Sequence, residues 1–243
     1  MTTIKLYDLA RATKPDGSWS YNVWKTRLAL NYKGIPYTTI WVDHNTIKPT
    51  LEAIGVTPNT PAKGFEYTVP TVKLQDDSVI TDSSKIASKL EEIQPSPSLR
   101  LDTSLQAEAD SIVRMIYVPL FPIYMPRVAR EVIDKSTVPA FAKSREARFG
   151  MTLEEMEGLR GEEQAWEAAK PGFEAMGKLL RERKEDEGPF IHGSQLCYAD
   201  FVLVAVFEAF QRVGSDMFEK AIGMDPSFGK LYDACEAWVQ NDR

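Results

Sequence analysis

The chain has 243 residues, 43% of them apolar and 26% charged, a globular composition far from that of a disordered or fibrous protein. Its 35 acidic and 29 basic side chains leave a net charge of −6, which disfavours non-specific nucleic-acid binding. The longest apolar run without proline, Phe201 to Phe207, is well short of the roughly 20 residues that cross a bilayer, so no membrane span is expected.

Thr3 to Leu9 contains Ile4, Leu6 and Tyr7 and reads as a strand; Lys5, Asp8 and Arg11 interrupt its apolar character, so no secretory leader is expected. Ser20 to Lys33 carries Trp24, Leu28 and Tyr32 at helical spacing and stops at Gly34. Tyr37 to Val42, aromatic and β-branched, reads as a second strand, with a short helix near Pro49 to Ile54. Thr71–Leu74 and Ser78–Ile80 flank the polar turn Gln75-Asp76-Asp77 and predict a hairpin. Asp82-Ser83 then opens a helix with Ile86, Leu90 and Ile93 on one face. This order suits a small mixed sheet covered by helices.

Gln94-Pro95-Ser96-Pro97-Ser98 is a linker by composition, since two prolines break helical hydrogen bonding. Beyond it the pattern is helical, at about 103–135, 152–184, 198–214 and 227–240. The prolines between Val118 and Pro126 are expected to kink or break the first of these helices. Charge runs at Glu154-Glu155 and Arg181 to Glu187 read as solvated helix faces. Cys197 and Cys235 lack zinc-site spacing, and His44 and His192 are far apart in sequence, so neither a metal site nor a disulfide framework is expected. A reduced, cytoplasmic setting follows.

Three local signals could carry chemistry. Ser20 stands at the start of the first helix, where backbone N–H groups and the helix dipole favour an anion such as a thiolate. Val69-Pro70 precedes the third strand; a cis bond there would turn the Val69 backbone outward to pair with an extended peptide. Asp82-Ser83 could hold an amino acid, the carboxylate meeting its ammonium and the helix N–H groups its carboxyl. Each has a plain structural reading as well: a helix cap for Ser20 and for Asp82, and an ordinary strand-opening proline for Pro70.

Taken together, Ser20 to Leu30, Lys33-Gly34-Ile35-Pro36-Tyr37, Val69-Pro70-Thr71-Val72 and Asp82-Ser83 resemble a cytosolic glutathione transferase of the serine type. Trp19-Ser20, Trp24-Lys25-Thr26-Arg27, the Ile47 to Gly55 segment and Cys197-Tyr198-Ala199-Asp200-Phe201 look most like the fungal etherase-like (FuA) class related to bacterial lignin β-etherases. The resemblance implies an α/β thioredoxin-like N-terminal domain over 1–94 and an all-α C-terminal domain over 103–243. It implies a homodimer that binds glutathione as co-substrate, without a metal, and takes apolar, aromatic or lignin-derived electrophiles in an etherase-like, peroxidase or detoxifying role. The alternative is a non-catalytic carrier of glutathione or aromatic ligands, or a regulator, on the same fold.

By the same resemblance Ser20 is the catalytic hydrogen-bond donor to the glutathione sulfur, and Ser18 stands two residues too early. Val69, next to Pro70, pairs with the cysteinyl backbone; Asp82 and Ser83 hold the γ-glutamyl end; Lys48 is placed like a lysine that contacts glutathione in some classes, with a solvated surface lysine as its plain reading. Tyr117, Phe121, Tyr124 and Met125 lie where the family places its apolar acceptor, although packing of the domain core is an equal reading for each. Many relatives have proline where this chain has Tyr21. Gly193 to Asp200 resembles the family's helix-opening capping box, with Cys197 in place of Ser or Thr, which predicts a weaker cap.

Overall fold

The computed structural model describes residues 3–14, 17–60 and 65–241. Strand β1 (Ile4–Leu9) exposes only Lys5, as befits a strand with neighbours on both edges. It lies between β2 (Tyr37–Val42), which runs parallel to it, and the short β3 (Thr71–Lys73), which runs antiparallel; β4 (Val79–Thr81) closes the order β2-β1-β3-β4. The parallel pair needs a crossover, and α1 (Tyr21–Lys33) supplies it. Gly34 ends α1 in the left-handed region at φ 65°, which a glycine adopts without strain. The predicted hairpin forms, its strands offset from expectation by one residue, and Asp76 fixes the turn by accepting from the Ser78 N–H (3.0 Å) and hydroxyl (2.6 Å).

Helix α2 (Ile47–Ala53) begins two residues before the expected Pro49, which still falls in the first turn, where a missing N–H is harmless. Helix α3 (Ser83–Ile93) buries Ile86 and Leu90, but Ile93, assigned to the same face from the sequence, is 51% exposed. Inside the first half lies an ion pair that the local patterns do not reveal. Arg27 Nε donates to Asp8 Oδ2 at 2.8 Å with both side chains fully sealed, and the guanidinium also donates to the Tyr37 and Thr39 hydroxyls on β2.

The second half is helical, as expected, but divided differently. Helix α4 (Thr103–Arg127) runs unbroken through Pro119, Pro122 and Pro126 and passes into a π turn over Val128–Val132. The carbonyls of Met115 and Val118, which Pro119 and Pro122 leave without helical donors, belong to residues 42% and 53% exposed, where water can satisfy them. Contrary to the reading from apolar runs, Thr103–Val132 is long and apolar enough by length and composition to cross a membrane. Its buried side chains pack against neighbouring helices.

The interval 136–151, left without an element, holds α5 (Val138–Phe149); Phe141 is its one buried side chain, too little to produce a helical period. The expected helix over 152–184 is two, α6 (Leu153–Gly158) and α7 (Glu162–Glu182), separated at Leu159 to Gly161. Glu155, read as part of a solvated run, closes a reciprocal cap on α6: Thr152 N–H donates to it at 2.8 Å and its own N–H donates to Thr152 Oγ1 at 3.1 Å. Asp186, in the other charge run, ties a loop by accepting from the Gly188 and Ser194 N–H groups.

Helix α8 (Tyr198–Val213) is the centre of this half, with only Gln211 and Arg212 out of the buried set. It packs on α1 and α4, and α9 (Ser215–Ile222), α10 (Pro226–Ala234) and α11 (Glu236–Val239) complete the bundle. Helix α9 and the break between α10 and α11 were not expected. Contacts that join the halves include the Tyr198 hydroxyl donating to the Ser83 carbonyl at 3.1 Å and Asn31 Nδ2 donating to the Trp238 carbonyl at 2.6 Å, while Lys33 ties the first half to the linker by pairing with Glu91 at 2.6 Å and donating to the Gln94 and Pro97 carbonyls. Cys197 and Cys235 are free and buried.

Candidate active site

A cavity of about 670 Å³ lies between the sheet half and the helical half. The start of α1, the start of α2 and the segment before β3 make one wall; α4 and α5 make the other. Ser20 lies on the first wall as N-cap of α1 with extended dihedrals (φ −78°, ψ 119°), yet its side chain makes no capping hydrogen bond. The structural reading of Ser20 as a side-chain cap therefore fails, and the residue lines the cavity. No acidic side chain occupies the first turn of α1, so the positive end of the helix dipole is not neutralised from within the helix. Ser18 is fully buried beside Asp8 and does not border the cavity.

Of the other sequence-predicted residues, Val69 and Lys48 also border the cavity. The Val69-Pro70 peptide is cis, and among the described residues the Val69 N–H and C=O have no hydrogen-bond partner. Pro70, Asp82 and Ser83 do not border it. Lys48 pairs with Glu66 at 3.0 Å at the rim, half-exposed, and the hydrogen bond it donates to the Glu66 carboxylate holds its pKa above the usual lysine value.

Asp82 caps α3 from φ 91°, accepting from the Ser84 N–H at 2.9 Å and hydroxyl at 2.6 Å. Burial opposes its ionisation, but these hydrogen bonds outweigh burial and hold its pKa below the usual carboxylate value. Its charge is felt by Lys25 on the cavity wall. Ser83 is buried, with its carbonyl committed to Tyr198.

Tyr117, Phe121, Tyr124 and Met125 all border the cavity from α4. Tyr117 is the hub, with ring centroids 5.1 Å from Tyr21, 6.0 Å from Phe121 and 5.4 Å from both Tyr124 and Phe210. Tyr21, where relatives have proline, thus joins α1 to the aromatic wall. Both readings of these residues hold together: one side of the cluster is cavity surface while the other packs the helical core.

Several cavity residues escaped the sequence reading. Lys25 follows Tyr21 by one helical turn and sits 4.5 Å over its ring, 3.9 Å from Asp110; burial lowers its pKa, against the pull of Asp110. His44 meets Phe141 edge-on at 4.9 Å and is kept neutral, its pKa pushed down to about 3 by burial and by the nearby Arg145 charge. Arg145 lies over the rings of Phe141 (4.2 Å) and Phe65 (4.8 Å), with its pKa lowered to about 10 by burial. The Lys25 position could have been read from its i, i+4 relation to Tyr21. Arg145 gave no signal, because α5 itself went unrecognised.

Away from the cavity, Asp200 plays the structural part expected of it: its carboxylate accepts from the Cys197 and Ile191 N–H groups, both at 2.8 Å, and from the Cys197 thiol at 3.2 Å. Among the described residues no group of three or more His, Cys, Asp or Glu is placed to hold a metal ion.

Comparison with known proteins agrees with this architecture. Residues 19–93 match the family described as glutathione S-transferase, N-terminal domain, and residues 104–238 the family described as glutathione S-transferase, C-terminal domain. The glutathione S-transferase-like protein ustS of Aspergillus flavus is 31% identical over 92% of this chain and 86% of its own. A Ceriporiopsis subvermispora glutathione S-transferase, solved in complex with glutathione, superposes with a TM-score of 0.85 at 28% identity, covering 98% of both chains. Glutathione transferase GSTFuA3 of Phanerochaete chrysosporium gives 0.85 at 26% identity, again over 98% of both. The chain belongs to the glutathione S-transferase family, and its fold is a thioredoxin-like α/β half followed by an all-helical half.

Proposed function

We propose that this protein is a glutathione transferase that activates the glutathione thiol at Ser20 for attack on an aromatic electrophile held against α4 and α5. The observation that carries the reading is the uncommitted Ser20 hydroxyl at the N-terminus of α1, on the same cavity as the unpaired Val69 backbone and the Tyr117 cluster. Domain boundaries at 1–94 and 103–243, a homodimer and a cytoplasmic setting belong to the same reading.

The Val69 N–H and C=O, beside Pro70, pair with the cysteinyl backbone of glutathione. The ionised Asp82 and Ser83 hold the γ-glutamyl end, the carboxylate meeting its ammonium, and Lys48 contacts the tripeptide from the rim. The thiol loses its proton to solvent, and the Ser20 O–H and the end of α1 stabilise the resulting thiolate. The sulfur then forms a bond to the electrophilic carbon, and the leaving group departs with the electron pair of the broken bond. With an aryl halide that group is a halide. With a β-aryl ether of lignin type it is a phenolate, which takes a proton from solvent.

Wild type and Ser20→Ala should be compared for glutathione-dependent turnover of an aryl halide, a β-aryl ether and an organic peroxide. Glutathione binding is followed by calorimetry alongside. Ser20→Ala should lose at least about tenfold in turnover, the equivalent of about 1.4 kcal/mol of transition-state stabilisation. Ser18→Ala, altering a sealed position off the cavity, should lose much less. Glutathione binding by the wild type with no turnover of any acceptor would mark a carrier instead.

A further inference from the structure

The helical wall of the cavity is apolar in its rings but not in its charge. Arg145, Arg148 and Arg114 all border it. The acids on the cavity, Glu66 and Asp110, are engaged by Lys48 at 3.0 Å and Lys25 at 3.9 Å. Among the described residues none of the three arginines has a carboxylate partner, in a chain whose net charge is −6.

Arg145 is the most confined. Its guanidinium lies over Phe141 at 4.2 Å and Phe65 at 4.8 Å, Nη1 donates to the Ser144 hydroxyl at 2.8 Å, and Nε is shut off from solvent with no hydrogen-bond partner. Arg148 lies 6.0 Å from the centre of the same Phe65 ring. A half-buried cation with a sealed Nε and no counter-charge is costly, and two rings recover only part of that cost. The guanidinium fork matches a carboxylate in shape and charge, so a ligand that brings one supplies what the folded chain lacks.

We propose that the acceptor of this enzyme is an aromatic acid, whose anionic group is received by Arg145, assisted by Arg148, while its ring lies against the Tyr117 and Phe121 side of the cavity. This rests on the reading of the cavity as a glutathione transferase site and adds the acceptor's charge to it. Arg145 then acts as a specificity-determining residue, favouring acids over their neutral counterparts.

The test uses a chloronitrobenzoate and its methyl ester, both attacked by thiolates with loss of chloride. Because intrinsic reactivity differs between the two, the quantity read is the ratio of their kcat/KM values in wild type divided by that in a variant. In Arg145→Met, which keeps much of the side-chain volume, the acid-to-ester ratio should fall by about tenfold or more, the loss falling mainly on the acid. Arg145→Lys, which keeps the charge but loses the fork, should fall in between and serves if the methionine variant does not fold.

An unchanged ratio in the folded variant overturns the proposal. So does a variant that binds glutathione more weakly yet binds the glycyl ethyl ester of glutathione as the wild type does, since the guanidinium would then serve the glycyl carboxylate. Calorimetry of the benzoate and its ester in the presence of unreactive S-methylglutathione gives a readout independent of turnover. A wild-type preference for the acid that disappears in Arg145→Met supports the acid subsite even if the transferase reading fails. Ordinary turnover of the ester with no preference for the acid in binding overturns the subsite and leaves that reading standing.

Discussion

Asp8 and Asp200 are both fully sealed carboxylates, one in each half of the chain, and the protein stabilises them by different means. Asp8 faces a formal cation, Arg27, at 2.8 Å, whereas Asp200 has no cation in hydrogen-bond contact and relies on two backbone N–H groups and a thiol. Burial raises the pKa of each. For Asp8 the opposing attraction comes first from Arg27, and for Asp200 it comes from hydrogen bonds, leaving the latter at about 6. The ion pair fixes α1 against β1 and β2, elements 19 residues apart at the bond itself. The hydrogen-bonded carboxylate fixes one helix start to the turn immediately before it. A charge that joins distant elements needs a counter-charge of equal reach, while one that closes a local turn can be satisfied by the donors the turn already presents.

Breaking the long-range pair should have the larger effect. Arg27→Met leaves Asp8 buried with no counter-charge and should destabilise by about 3 to 5 kcal/mol, read as a fall in the denaturant midpoint. A loss below about 1 kcal/mol would mean that water or another cation reaches Asp8 in the variant. Asp200→Ala should cost roughly 1 to 3 kcal/mol, because the Cys197 and Ile191 donors lose their acceptor. Glutathione affinity of the folded fraction should hardly change, since Asp200 does not border the cavity. A variant that melts like the parent but loses glutathione would make Asp200 a site residue.

Acid sharpens the contrast further. The folded-state pKa of Asp200, about 6, lies above its ordinary 3.8, so the folded state binds the proton more readily and the cost of ionising Asp200 is relieved as pH falls from about 6 toward 3.8. His44 has the opposite sign. Its pKa, about 3 folded against 6.5 ordinarily, gives stability that is fully present above about pH 6.5 and is lost on acidification, by about 1.4 kcal/mol per pH unit. His44→Gln should therefore lose less stability than wild type between about pH 6.5 and 5, as read from urea midpoints; parallel curves would show that the imidazole is solvated.

The smallest effect is expected at the partner of Asp200. Cys197→Ser replaces a weak thiol donor, 3.2 Å from the carboxylate, with a hydroxyl that bonds at shorter range. It should stabilise by a few tenths to about 1 kcal/mol, seen as a small rise in Tm. A fall would show that the serine hydroxyl does not fit the tightly packed start of α8.

The legibility of the site divides along the same line. Ser20, Val69 and the Cys197–Asp200 box are read from residues within a few positions of one another, because helix starts, X-Pro bonds and capping boxes are local devices. Lys48 was named from the family resemblance alone, and the structure puts it at the cavity rim with a partner, Glu66, that its neighbours in sequence do not announce. Arg145 and His44 were not readable. Each sits on a surface or in a loop with little periodicity, and each becomes part of a cavity only when α5 is laid against the loop before β3 and the start of α2.

The sequence by itself determined the strand and helix order of the first half, the linker at Gln94 to Ser98 and the helical character of the rest. It also marked the ends of α1 and α8, whose signals are short-range hydrogen-bonding and steric preferences carried by adjacent residues. Only the tertiary structure decided that α4 continues through three prolines, that 152–184 divides at Leu159, that Asp8 meets Arg27, and that arginines with no carboxylate partner among the described residues share a cavity with Ser20. The physical reason is that burial and pairing of charges depend on which distant surfaces come together. That choice is made by the packed core as a whole, and no stretch of neighbouring residues contains it.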